Sequence, residues 1–196
     1  MRHSLGSRLT ASAAALLLTF GHAYGQQQEI TAQDAEAHFR QIQQEAVEIM
    51  RSGDFARLEN WIETNIADGS VFQASMTVQR NGQRKGFAEI TLDKDDMLRM
   101  GALFAGAIQE QVIGDYGLEV AVIEVIPQGA GAATATVRWT ERLNIQAGSA
   151  DDEEAQPGQQ RRTVSVEAVA SCTHLLRRMD GALALGLTTC SGEVRL

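Results

Sequence analysis

At 196 residues, 44% of them hydrophobic, and with a formal charge of −8, the chain has the length of a single domain with a core large enough to hold itself together. That sign of charge excludes the usual nucleic-acid binders, whose affinity comes from Lys and Arg displacing counterions from phosphates. It makes an anionic membrane surface an equally poor partner.

The first 25 residues carry Arg2 and Arg8, then an apolar run from Leu9 to Phe20, and end in Ala23-Tyr24-Gly25. Basic, apolar and small residues in that order form a secretory signal. The run is about a dozen residues, short of the roughly 20 that cross a bilayer as a helix, and no later segment is apolar enough to span. The expectation is a cleaved leader, residues 1–25, and one exported domain, residues 26–196, in the periplasm or secreted. The mature domain then carries −10, because the leader removes two arginines and no acid.

Thr31 and Asp34 have the spacing of a capping box. Ala35, Phe39, Ile42, Ala46, Ile49 and Met50 then recur at helical spacing as far as Gly53, a residue that stops helices. His38 is expected on the polar side of this helix, in water. Asp54 caps a second helix with Phe55, Leu58, Trp61, Ile62 and Ile66 on its apolar face, ended by Asp68-Gly69. The alternation of Phe72, Ala74, Met76 and Val78 predicts a strand, and Asn81-Gly82 predicts a hairpin to a second strand through Phe87 and Ile90. A third helix begins near Asp93, with Met97, Met100, Phe104, Ala107, Ile108 and Gln111 as its buried stripe.

Strands fill the rest. Leu118 to Ile126 and Ala133 to Ile145 make one hairpin across the loop 127–131, and Thr163 to Leu176 pairs with Leu183 to Leu196 across Asp180-Gly181. Residues 147–160, with four consecutive acids from Asp151, read as a flexible, solvated loop. The fold class expected is α+β, with N-terminal helices packed on a strongly curved antiparallel sheet.

Cys172 and Cys190 are the only cysteines. In an oxidising compartment they are expected to bridge, closing a loop whose constraint is worth about 3 kcal/mol. A two-residue turn at Asp180-Gly181 would place Cys172 opposite Thr189 rather than Cys190. The bridge therefore requires a bulge near Thr188-Thr189, or a three-residue turn.

The order of elements resembles the nuclear transport factor 2-like family, which includes ketosteroid isomerase and polyketide cyclases. The residues carrying the resemblance are Ser52-Gly53-Asp54-Phe55, the helix from Asp93 to Gln111, and the pattern from Ala170-Ser171-Cys172-Thr173-His174 to Asp180-Gly181. The resemblance implies a cone of sheet around an apolar pocket, and homodimers through the outer sheet face. It transfers no catalytic residues: Tyr116 and Asp115 precede a strand and read as loop residues.

Strand alternation singles out two polar side chains on apolar faces. Glu141 interrupts the odd-numbered face of Ala133 to Ile145, and His174 interrupts the even-numbered face of Val164 to Leu176. Were both faces to line one cavity, Glu141 and His174 could meet as a carboxylate and imidazole pair, the kind of group that burial and neighbouring charge tune for acid–base work. Trp139, Phe104 and Met100 would supply apolar walls for a small apolar ligand.

No cofactor or metal is expected, since His38 and His174 are the only mature histidines and no acids or cysteines cluster with them. Gly129-Ala130-Gly131 joins two strands and is no dinucleotide loop. A hydrolase elbow and a phosphate-cradling loop are also missing. A ligand-binding or protein-interaction role is therefore expected ahead of catalysis. The alternative is an isomerase, dehydratase or cyclase using Glu141 and His174.

Overall fold

The structure is a computed structural model that describes residues 28–101, 116–147 and 162–196. The expected leader, Phe104, Asp115 and residues 148–160 of the acidic loop lie outside the described residues.

Helix α1 spans Ala32–Ser52 and α2 spans Phe55–Asn65. Thr31 and Asp34 form the expected capping box, with bonds of 3.0 and 3.1 Å in both directions, and Gly53 closes α1 in the left-handed conformation at φ 64°. That conformation is easy for a residue without a Cβ. Asp54 accepts from the Arg57 amide at the start of α2. The described part of a third helix, α3, covers residues 94–101. Asp93 and Asp96 exchange side-chain to backbone bonds at its start, a second capping box that puts carboxylates at the positive end of the helix.

Six strands make one sheet: β1 Val71–Arg80, β2 Gln83–Asp93, β3 Gly117–Pro127, β4 Ala132–Ala147, β5 Arg162–Met179 and β6 Ala182–Arg195. Their order across the sheet is β2-β1-β6-β5-β4-β3. The fold class is α+β with a curved sheet, as expected, but the sheet is mixed rather than antiparallel, because β1 runs parallel to β6. The chain leaving α2 is already tied beside β6, by the Ile66–Leu185 bridge and the Ala67 amide bond to the Leu185 carbonyl. After the turn at Asp68-Gly69 the chain enters β1 in the direction β6 takes.

Two hairpin turns carry the predicted dipeptides. Asn81 and Gly82 lie at φ 53° and 72°, and Asp180 and Gly181 at 49° and 88°, positive at both central positions as tight two-residue turns demand. Around the second turn Met179 faces Ala182, yet farther along Cys172 faces Cys190. The slip lies between His174 and Leu176, where Gly186 and Leu187 together oppose Leu175. The expected bulge exists, two residues nearer the turn than Thr188-Thr189, at the glycine where a strand most easily takes an extra residue.

The core is the seam between α1, α2 and the odd face of β4. Ala133, Ala135, Val137 and Leu176 are fully buried against Phe39, Ile42, Ile62 and Ile66. The alternation of β4 and β5 therefore points its apolar face at the helices.

Candidate functional site

At one end of this seam the side chains shrink. Ala168 and Ala170 on β5, Ala74 on β1 and Gly186 on β6 are too short to reach the helices, and they leave a cavity of about 430 Å³. That lies within the range of small-molecule sites. Trp61 of α2, Ile66 just after it and Met97 of α3 close it opposite the sheet, and Trp139, Phe72 and Met76 line it from the strands. Glu141, His174 and Thr188 are the polar side chains of an otherwise apolar wall, and the disulfide-bonded pair Cys172 and Cys190 forms part of the floor.

The cavity brings together Trp139, Glu141 and His174. Met97 stands on its wall one turn before Met100, which is half-buried and not among the described lining residues. Glu141 and His174 have different neighbours. The indole Nε1 of Trp139 donates to His174 Nε2 at 3.2 Å, and His174 Nδ1 lies 2.9 Å from Thr188 Oγ1. An indole nitrogen can only donate, so Nε2 is the acceptor and the ring proton sits on Nδ1, donating to Thr188. Thr188 keeps its own hydroxyl proton for another acceptor.

Both ring nitrogens of His174 are thus engaged by its neighbours, and Phe39 packs on the ring at a centroid distance of 5.0 Å. Burial first, then the proximity of His38, lowers the His174 pKa to about 4, so the ring is neutral at physiological pH.

Beside Glu141 stands Tyr116, which sequence reasoning passed over as a loop residue. Tyr116 is 5% exposed, and its phenol feels the charge of the Glu141 carboxylate. Burial, then the Glu141 charge, pushes the phenol well above its ordinary pKa, so it stays a donor. The signal was present: Tyr116 continues the inward alternation of Leu118, Val120 and Val122 by one step. Arg51 of α1 fixes the backbone there, its guanidinium donating to the Tyr116 carbonyl at 3.1 and 3.3 Å.

His38 departs from expectation. It is 9% exposed rather than solvated, with Nε2 unpartnered among the described residues. Burial lowers its pKa to about 4, with Glu45 opposing. Its position, three residues after Ala35 and four before Ile42, lies on the buried stripe of α1. The Nε1 of Trp61 is a second buried donor without a partner among the described residues, and this one belongs to a side chain on the cavity wall.

A longer groove, about 570 Å³, follows α1 from Gln43 to Ser52. Three of its polar groups are already occupied: Gln43 accepts from the Val120 amide, Glu48 pairs with Arg57 and Arg51 holds Tyr116. The cavity under Trp139 is the better site.

No protein-family model and no curated protein matches the chain. Among solved structures it is similar to an NTF-2 like protein of unknown function from Silicibacter pomeroyi DSS-3, at 12% identity over 83% of this chain and 98% of that one, with a TM-score of 0.41. It is also similar to the Kfla4162 protein from Kribbella flavida, at 13% identity over 83% and 93% of the two chains and a TM-score of 0.48. A third likeness is to a hexachlorocyclohexane dehydrochlorinase (LinA) type 2, at 12% identity over 81% and 84%, with a TM-score of 0.44. These are likenesses of fold alone, at identities where nothing else transfers.

Proposed function

We propose that the protein is an exported binding domain whose cavity beneath Trp139 holds a small, largely apolar ligand. The observation carrying this reading is the cavity itself: about 430 Å³ of apolar wall with few polar groups, two of them donors with a proton to spare, the Thr188 hydroxyl and the Trp61 indole. Sites that hold small organic molecules have this balance of apolar area and sparse orienting groups. The Cys172–Cys190 bridge supports export, since such bonds persist in oxidising compartments. No described helix is long and apolar enough to cross a membrane. Self-association through the outer sheet face belongs to the same reading, and a monomeric mass by sedimentation at micromolar concentration would remove that part of it.

Extraction of the purified protein into organic solvent, followed by mass spectrometry, tests the binding role. A small molecule should leave wild type and be missing from Ala170→Leu, whose longer side chain fills the cavity. Equal recovery from both proteins would remove the cavity as the site.

A second reading has one observation in its favour. Glu141 is the only carboxylate on the described cavity wall and has the buried phenol of Tyr116 beside it, which would suit a general base in an isomerase or dehydratase. Unchanged turnover of a substrate by Glu141→Gln would exclude that role.

A further inference from the structure

The cavity has an unbalanced charge. Glu141 has no ion-pair partner among the described residues, and the phenol of Tyr116, which its charge acts on, is neutral. The cations nearby in sequence or space are committed elsewhere. Arg142, the next residue, points to the outer face and pairs with Glu119 at 3.0 Å and Glu167 at 3.1 Å, while Arg51 is bonded to a backbone carbonyl. The imidazole of His174 is neutral and both its nitrogens are taken. Residues 102–115, which continue the chain from α3 to Tyr116, contain no Lys, Arg or His.

Glu141 is half-buried on this apolar wall, with no cationic side chain paired to it among the described residues. The same space is lined by three aromatic rings, Trp61, Phe72 and Trp139. The faces of such rings carry negative charge density and attract organic cations, best of all when water is excluded. A carboxylate and aromatic faces favour one sign of ligand. They repel anions, and for a neutral ligand they leave the carboxylate uncompensated.

Resting on the ligand-binding reading above, we infer that the cavity selects an organic cation, an amine or quaternary ammonium with an apolar body, whose charge sits against Glu141 and whose hydrocarbon lies among Trp61, Phe72 and Trp139. The class is fixed by charge and by the apolar wall.

The protein reports on its own occupancy, because its two tryptophans both line the cavity. Emission titrations of wild type and Glu141→Gln with octyltrimethylammonium, octanol and octanoate separate the outcomes. The expected result is saturable binding of the ammonium at least tenfold tighter than octanol, no saturable binding of octanoate, and a ratio of ammonium to octanol that falls to near one in Glu141→Gln. Octanol binding as tightly as the ammonium, or octanoate binding more tightly, overturns the cationic preference while leaving a ligand cavity in place. Failure of all three probes to bind overturns both readings. Should Glu141→Gln fail to fold, the wild-type ratio alone decides.

Discussion

The inner face of the sheet is built twice from the same alternation, with opposite results. Toward the turns at residues 128–131 and Asp180-Gly181, Ala133, Ala135, Val137 and Leu176 are fully buried beneath Phe39 and Ile42. Toward the other end, Ala168, Ala170, Ala74 and the cystine face an open space under Trp61 and Met97. Small residues occur in both halves, so small size alone does not open a cavity. What differs is the cover: α1 presses Phe39 into the first half, whereas the second is bridged at a distance by α2 and α3. Trp139, His174 and Thr188 stand on the boundary, and their hydrogen-bonded chain holds the wall upright where packing gives out.

Acid should break the boundary with the largest effect. His38 and His174 have folded pKa values of about 4, below the roughly 6.5 of an unfolded histidine. Between those values the unfolded chain holds protons that the folded one refuses, so stability is complete above pH 6.5 and falls as pH drops toward 4. Protonation of His174 would also place a hydrogen on Nε2 against the Trp139 indole N–H. Urea unfolding at pH 7.5 and 4.5 should show a loss of roughly 5 kcal/mol from the pair. In His38→Leu that dependence should shrink by at least half, because His38 also helps lower the His174 pKa, and an unchanged difference between the two pH values would contradict the assignment.

Phe39→Ala should cost about 3–5 kcal/mol by denaturant titration, because it hollows the filled half. Replacing Cys172 and Cys190 with alanine should cost about 3 kcal/mol through the freed 18-residue loop. It should also loosen the floor of the open half, read as weaker binding of an apolar probe. The smallest stability change belongs to Ala170→Leu. In a close-packed core the added carbons would cost about 1–3 kcal/mol. Here they enter existing space, so the midpoint of unfolding should barely move while ligand binding is lost. An unfolding cost as large as that of Phe39→Ala would mean the space is already filled.

Sequence alone carried the architecture a long way, since period-2 and period-3.6 patterns state which face each element buries. The inward turn of Trp139, Glu141 and His174 could be read from β4 and β5. Three features could not be read so directly. Parallel pairing of β1 with β6 joins segments more than a hundred residues apart and leaves no local pattern. The placement of the bulge at Gly186-Leu187 depends on which residue most easily yields, and only the cystine geometry forces a choice. The neighbour of Glu141, Tyr116, lies one step outside the strand that the alternation marks, where a tyrosine beside Gly117 has the look of a turn. His38 differs for another reason: its residue type suggests water, although its spacing from Ala35 and Ile42 places it on the buried stripe.

A crystal of the protein pressurised with xenon tests the contrast between the two halves most directly, since xenon enters dry apolar cavities and stays out of filled ones. The account predicts xenon density between Ala170, Trp139 and Trp61, and none between Phe39 and Ala135. Density beneath Phe39, or a Trp139 side chain collapsed onto Ala170 with no space between them, would contradict it.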